Sequence, residues 1–214
     1  MSLYDLLEAV GHDDRPAKIL GVVVGLVTNN QDPDDLGRVK LKFPWLSDTD
    51  ESFWARIAAP MAGKDRGTYF IPEVDDEVLV AFEHGDVRFP YVLGALWNGT
   101  DAPPTKNSDG KNNVRMIKSR SGHVVKLNDE DGKETIEIIG KGEKNSIVID
   151  TSNDIITITS GKDITLSATQ GTIKLDAKNV EINGSSGTKV HSGSAMNLEA
   201  DGTNTIKGST VNIN

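Results

Sequence analysis

Carboxylate pairs and runs are the features of this sequence whose residue types and spacing could do chemistry. Adjacent carboxylates can share a proton for acid–base catalysis or bind Ca²⁺. They occur at Asp34/Asp35, at Asp75/Asp76 and at Asp129-Glu130-Asp131. All three fall in segments of turn-forming composition, where Asp is an ordinary residue, so we interpret them as turns. Because the chain has no G-x-S-x-G, H-E-x-x-H or P-loop motif, we expect no enzymatic activity, no bound metal and no cofactor.

Two histidines are the other candidates for catalysis. His123 follows Ser121 by two residues. A nucleophile–base pair needs a third group that orients the base, and no acidic partner is identifiable here. A structural hydrogen bond from His123 is therefore the favoured interpretation. His84 falls in a predicted turn.

The overall composition limits the class of protein. The chain of 214 residues has 23 basic and 32 acidic residues, a net charge of −9 and no cysteine. No stretch approaches the roughly 18 apolar residues that are needed to cross a bilayer. The N-terminus lacks the basic and apolar regions of a secretion signal. These features predict synthesis and assembly in a cytoplasm.

The composition changes sharply near residue 104. Every aromatic residue lies between Tyr4 and Trp97, and every proline lies at or before Pro104. Beyond this point single Ile, Val and Leu residues punctuate a sequence of Gly, Ser, Thr, Asn, Asp and Lys. An ordinary globular core cannot form there, because the apolar area per residue is too small to offset chain entropy. The pattern is nevertheless too regular for a disordered segment.

The N-terminal part is predicted to be a short arm followed by a small β-barrel. Apolar residues at helical spacing predict an amphipathic helix over residues 1–10, within an arm of residues 1–15. Val39, Leu41 and Phe43 alternate along one predicted strand and share a face. The predicted strands cover residues 21–28, 37–43, 53–58, 77–82 and 90–96. Five short strands in so few residues favour an OB-fold, which we assign to residues 16–99.

Two short regions connect this barrel to the rest of the chain. Residues 100–113 are polar, contain the Pro103-Pro104 pair and are predicted to be a linker. Residues 114–145 are predicted to form a collar hairpin, because two alternating apolar runs flank the turn-forming dipeptide Asp131-Gly132.

Residues 146–214 contain an internal repeat. Pairs of residues recur at i and i+2, and their first members are 7–9 residues apart. Each unit fits a strand of about five residues with one apolar face, followed by a turn. The predicted core positions are Ile147, Ile149, Ile156, Ile158, Ile164, Leu166, Ile173, Leu175, Val180, Ile182, Val190, Met196, Leu198 and Ile206.

The repeat length favours an assembly of three chains. Eight residues are too few for one rung of a single-chain solenoid, whose repeats run to roughly 20 or more. An antiparallel meander also fits the spacing, but its thin aliphatic face would stay uncovered. Three intertwined chains bury that face along a narrow axis, which also explains the missing aromatics. We therefore expect an all-β homotrimer with a triple-stranded β-helical needle over residues 146–214, about 40–45 Å long at about 4.8 Å per rung.

Most of the chain resembles the central spike of contractile injection systems, a family that includes phage baseplate assembly protein V and the spike part of VgrG. The resemblance rests on several runs that are weak singly and specific together. They are residues 35–40 (Asp-Leu-Gly-Arg-Val-Lys), 43–45 (Phe-Pro-Trp), 54–57, 70–80, 90–94 and, in the collar, 117–123.

The resemblance implies a structural role without catalysis. Such a spike lies at the centre of the baseplate of a phage-tail-like particle, and its needle pierces the target envelope when the sheath contracts. Assembly in the bacterial cytoplasm, contact with tube and baseplate proteins and transient contact with the target membrane are implied with it. Since no hub domain is fused here, a separate hub protein is expected at the barrel end. A PAAR-type tip protein is expected to cover the other end at Val211, Ile213 and Asn214.

The chain departs from some members of that family. We expect neither an inserted lysozyme-like domain nor a toxin extension after Asn214. Some phage spikes close their tips with a His-x-His iron site. His191 has no second histidine two residues away, so that site is not predicted.

Two other functions are weighed against the spike. OB barrels often bind single-stranded nucleic acid through a basic groove and stacking aromatics. Residues 1–100 hold 9 basic and 17 acidic residues, which repels phosphate, so Phe43, Trp45 and Trp54 are assigned to packing and no nucleic-acid partner is expected. The alternative function is a trimeric β-helical adhesin that binds cell-surface carbohydrate. It is disfavoured because the predicted needle has no aromatic residue to hold a sugar.

Overall fold

The computed structural model describes residues 18–47 and 49–212. The predicted helix at residues 1–10 lies outside the described residues, as do Asp48, Ile213 and Asn214. The chain divides into two units, one ending at Thr159 and the other beginning at Ser160. The described residues are all-β, as predicted, with one 3-10 turn at Glu83–Gly85. Among them, no helix is long and apolar enough to cross a bilayer.

The first unit begins with a five-stranded sheet and a small hairpin. The sheet has the strand order β2-β1-β6-β7-β3, in which β3 and β7 run parallel and the other pairs are antiparallel. The strands are β1 Val22–Asn29, β2 Lys40–Lys42, β3 Arg56–Ile57, β4 Ala62–Gly63, β5 Arg66–Gly67, β6 Glu77–Phe82 and β7 Pro90–Ala95. The hairpin of β4 and β5 was not predicted, since its two-residue strands contain glycine and show no apolar alternation.

The five-stranded sheet closes into a barrel. Val39, just before β2, and Ala55, just before β3, form an antiparallel bridge that joins the two edges of the sheet. The Val39 N–H donates to the Ala55 carbonyl at 3.0 Å, and the Ala55 N–H donates to the Val39 carbonyl at 2.7 Å. Closure removes the free strand edges, which is how small all-β barrels avoid edge-to-edge association.

Alternating side chains fill the barrel. Val39, Leu41 and Phe43 are fully buried, which confirms the predicted inward face of that strand. The Phe43 ring lies 5.6 Å from the Phe82 ring, centroid to centroid, in a tilted arrangement. The core residues are Val27, Val39, Leu41, Phe43, Ala55, Val78, Val80, Phe82, Val87 and Val92.

A second sheet follows the linker in the same unit. It is an antiparallel meander in the strand order β12-β11-β10-β9-β8. Its strands are β8 Val114–Lys118, β9 Val124–Asn128, β10 Thr135–Ile139, β11 Ser146–Asp150 and β12 Ile155–Thr159. The predicted turn at Asp131-Gly132 connects β9 to β10, and Gly132 has the positive φ of +73° that such a turn requires. We call these five strands the collar sheet.

The collar sheet extends past the predicted collar boundary at residue 145. The predicted first two needle rungs are its strands β11 and β12, which pair antiparallel from Ser146↔Thr159 to Asp150↔Ile155. The spacing of the repeat fitted both an antiparallel meander and a triple-stranded β-helix. For these two repeats the structure shows the meander. Spacing could not distinguish the two arrangements, because both place residues i and i+2 on one face.

The second unit is extended chain. Among its described residues, 160–212, no segment forms a β-strand with another. Every described residue from 161 to 212 is exposed to solvent. Local turns recur along it, as where the Gly171 N–H donates to the Ala168 carbonyl at 3.3 Å.

Candidate assembly interface

One face of the collar sheet is a continuous apolar ladder. The register places Val125 opposite Ile138, and Leu127 opposite Ile136. Between β10 and β11, Ile138 lies opposite Ile147. Since paired residues in antiparallel strands point to the same side, two rows of side chains run across all five strands. The aliphatic members, which we call the collar face, are Ile117, Val125, Leu127, Ile136, Ile138, Ile147, Ile149, Ile156 and Ile158.

The collar face is open to solvent in the single chain. Its side chains are 40% to 68% exposed, from Ile147 at the lower limit to Ile156 at the upper, except for the half-buried Ile149. One polar residue, Arg115, occupies the corner of this face opposite Leu127, and its guanidinium forms an ion pair with Asp129.

The other face of the collar sheet, which we call the polar face, carries charged and polar groups among aliphatic residues such as Ile139 and Val148. Lys126 and Glu137 face each other there, and the Lys126 ammonium lies 2.8 Å from the Glu137 carboxylate. The Thr135 hydroxyl also donates to Glu137 at 2.8 Å. Burial raises the pKa of Glu137, but the hydrogen bonds from Lys126 and Thr135 outweigh it, so the net shift of the pKa is downward. Glu137 is thus held ionised on this face.

The exposure of the two faces is the reverse of an ordinary sheet. In β9 and β10 the residues of the collar face are exposed, whereas the residues of the polar face are half-buried. An antiparallel sheet normally packs its apolar face on a core and turns its polar face to water. Exposed, contiguous apolar faces of this kind mark sites that contact another protein, a membrane or a ligand, so the collar face is a candidate association surface.

The predicted core residues fall into two groups. Ile147, Ile149, Ile156 and Ile158 lie on the collar face. Ten others lie in the extended second unit, where all are exposed, and their role as a trimer core stays a prediction. They are Ile164, Leu166, Ile173, Leu175, Val180, Ile182, Val190, Met196, Leu198 and Ile206.

Five residues of the same face were missing from the predicted core. They are Ile117, Val125, Leu127, Ile136 and Ile138. Their alternation was visible in the sequence, but it was assigned to a separate collar hairpin.

Of the predicted tip contacts, Val211 is 48% exposed, while Ile213 and Asn214 lie outside the described residues.

The carboxylate clusters lie in turns. Asp35 and Asp75 have positive φ angles of 54° and 76°, which Asp tolerates better than most residues. The Asp76 carboxylate accepts a hydrogen bond from the Glu73 N–H at 2.8 Å. Among the residues that the structure describes, no three His, Asp or Glu side chains are grouped to hold a metal ion.

The two histidines also make structural contacts. The His123 Nδ1 accepts a hydrogen bond from the Lys141 N–H at 3.0 Å, and the His123 N–H donates to the Ser119 hydroxyl at 3.0 Å. His84 lies in the 3-10 turn between β6 and β7. Both placements agree with the structural interpretation of these residues.

An ion pair organises the turn between β1 and β2. Arg38 donates to the Asp32 carboxylate from Nε at 2.8 Å and from a terminal nitrogen at 2.6 Å. Backbone N–H groups of Asp34, Leu36 and Arg38 donate to the same carboxylate, each at 3.1 Å. The Asp32 side chain is 3% exposed. The hydrogen bonds from Arg38, and then those from the backbone, hold the pKa of Asp32 well below its usual value.

Asp32→Asn is expected to lower the thermal stability of the barrel by several degrees at pH 7. Because the pKa of Asp32 is lowered in the folded state, its stabilisation is complete above the unfolded value of about 3.9 and is lost as the pH falls below it. The difference in melting temperature between wild type and variant should therefore shrink as the pH falls from 5 to 3. Tryptophan fluorescence measures this, since all three tryptophans lie between residues 45 and 97.

The control for this experiment is Asp65→Asn, at an exposed turn residue with a positive φ of 55° that Asn also tolerates. It should melt like wild type at pH 7. A gap between Asp32→Asn and wild type that stays constant down to pH 3 would contradict the role of the Asp32 carboxylate.

Comparison with known proteins identifies the barrel. Residues 23–97, which run from the second residue of β1 to just past β7, match the family model of the type VI secretion system/phage-baseplate injector OB domain. This part of the chain is similar to injector OB domains. The match confirms both the predicted OB-fold and the resemblance to spike proteins of contractile injection systems.

Curated relatives agree with this match and extend the similarity. The chain is 35% identical over 124 residues to the type VI secretion system spike protein VgrG2a of Pseudomonas aeruginosa, covering 50% of this chain and 15% of that protein. It is 30% identical over 139 residues to VgrG1a of the same organism, covering 59% and 22%. It is 29% identical over 131 residues to VgrG3 of Vibrio cholerae, covering 58% and 13%. The chain therefore matches less than a quarter of each relative's length.

Proposed function

We propose that this chain is the structural spike at the centre of a contractile tail or injection-system baseplate. Three copies form a rigid needle that pierces the target envelope when the sheath contracts. The observation that carries the proposal is the collar face, an apolar surface that the single chain leaves open. The similarity to type VI secretion spike proteins supports the baseplate as its setting.

The extent of apolar surface supports a trimer held along its whole length. Covering the exposed half of nine aliphatic side chains in each of three chains is worth about 1 kcal/mol per side chain, of order 25 kcal/mol in total. Each of the two association steps costs roughly 4–15 kcal/mol. These two free energies are of the same order, so burial of the collar face alone stabilises the trimer only slightly. The apolar pairs of residues 160–212 supply the remaining stabilisation.

The proposed role needs stiffness and partners but no active site. The energy comes from sheath contraction, so the spike itself performs no catalysis. A separate hub protein binds at the barrel end, among tube and baseplate proteins. A PAAR-type tip protein covers the end near Val211. The trimer is assembled in the bacterial cytoplasm, becomes part of a phage-tail-like particle and touches the target membrane only on firing.

The native mass tests this proposal directly. Light scattering of the purified chain is expected to give the mass of three chains, and an unheated SDS gel is expected to retain that species. Beads coated with target-cell polysaccharide should not retain the trimer. A monomeric chain would overturn the proposed spike. A trimer that binds polysaccharide tightly would instead favour the adhesin.

A further inference from the structure

The two units satisfy their backbone hydrogen bonds in different ways. In the collar sheet, four antiparallel ladders pair the strands of one chain with each other. In residues 160–212, as far as they are described, no strand pairs with another strand of the same chain. Backbone groups that are to be buried need partners, so in a trimer this unit pairs between chains. The collar sheet can form before association, whereas strands of the second unit need it.

The repeat of the second unit specifies its register weakly. Val180, Thr188, Met196 and Asn204 begin four successive pairs spaced by eight residues. A slip of one chain by eight residues would place each pair on its neighbour and keep the aliphatic second members aligned, which are Ile182, Val190, Leu198 and Ile206. Register is weakly fixed wherever a shifted pairing buries the same pattern. Three identical chains therefore need a reference outside the repeat that aligns them.

The collar face has the features of such a reference. It is bounded, since β8 and β12 are the edges of a five-stranded sheet. It is marked at one corner by Arg115, its single polar residue, which is ion-paired with Asp129. Its strands are joined by short turns, and such local pairings form quickly. A slipped arrangement of three collar faces would leave apolar rows uncovered and bury a charged group.

We propose that the collar face is the registration surface of the trimer: three copies pack through it first, and the second units then pair in the register that it sets. This inference rests on the proposed trimeric spike and adds the order of its assembly. Because the collar face alone leaves little surplus stability, misaligned encounters separate before the second units pair. Correctly aligned trimers are then made permanent by interchain pairing.

Refolding kinetics of the full chain test whether the collar face associates before the second units pair. The chain is denatured, diluted into buffer, and trimer formation is followed by light scattering. Ile138→Val removes one methylene group from the collar face, and Ile139→Val makes the same change at the next residue of β10, on the opposite face. Ile182→Val makes it in the second unit. All three substitutions are mild enough to preserve the fold.

The expected results differ between the two sites. A contact that is made in the transition state changes the rate of formation, and a contact made later changes the rate of unfolding. Ile138→Val should slow trimer formation about tenfold, since three copies act together, while Ile139→Val changes it less than about twofold. Ile182→Val should leave formation unchanged and speed thermal dissociation about tenfold.

The opposite outcomes separate the inference from the proposed function. Equal formation rates for Ile138→Val and wild type, or slowing by Ile182→Val as large as that by Ile138→Val, would overturn the registration role and leave the trimer intact. A wild-type chain that stays monomeric throughout refolding would overturn the proposed function itself.

Discussion

Ile147→Lys is expected to abolish the trimer and leave a monomeric or aggregated chain. Ile147 lies in the middle of the collar face, opposite Ile138 and Ile158 on the neighbouring strands. In the proposed trimer the substitution would bring three ammonium groups into one apolar interior. Each buried, unpaired charge costs several kcal/mol, which together exceeds the surplus that holds the three collar faces. Light scattering measures the result as a native mass of one chain in place of three.

The control for this variant is the adjacent residue. Val148→Lys adds the same charge to the same strand, but on the polar face, where the register places residue 148 opposite Glu137. It should remain trimeric with nearly unchanged thermal stability. If Ile147→Lys also remained a detergent-resistant trimer, the collar face could not be the association surface.

Phe43→Ala is expected to be the most destabilising substitution in the barrel. Phe43 is fully buried, and its ring packs 5.6 Å from Phe82 and 6.1 Å from Trp45 between ring centroids. A Cβ added at Gly25 would meet this ring at 3.0 Å, so the ring lies directly against the backbone of β1. Truncating a buried Phe to Ala costs about 3–5 kcal/mol. Denaturant titration followed by tryptophan fluorescence measures the barrel alone.

Phe53→Ala serves as the control, since Phe53 is 57% exposed, and it should cost less than about 1 kcal/mol. The native mass of Phe43→Ala should still be that of three chains, because the collar face and residues 160–212 carry association. If the denaturant midpoint for unfolding of the barrel equalled that of wild type, the Phe43 ring would not be part of the core. Loss of the trimer would show that the barrel also contributes to assembly.

The arrangement of the collar sheet bears on how a spike resists force. Its backbone pairs within each chain, so three collar sheets would be joined by side-chain packing between apolar faces. Pairing in the second unit would instead be between chains, so that separating the chains requires breaking backbone hydrogen bonds along the needle. In the proposed trimer, the second unit would thus have the stronger connection between chains.

Much of the barrel could be predicted from sequence because its strands alternate. Val39, Leu41 and Phe43 at every second position predicted one buried face, and all three are fully buried. The hairpin of β4 and β5 could not be predicted in this way. Its strands are two residues long, and neither face of Ala62–Gly63 is buried, so no pattern of burial was imposed on the sequence.

The sequence by itself determined the all-β class, the OB barrel and the set of aliphatic positions that share a face. Periodicity determines which side chains point the same way, and composition predicts that a single chain cannot bury them. Only the tertiary structure decided that Ile147 and Ile156 belong to an antiparallel collar sheet with Val125 and Ile138. The reason is physical: strand pairing depends on hydrogen bonds between distant backbone groups, and residues i and i+2 point the same way whichever strand lies beside them.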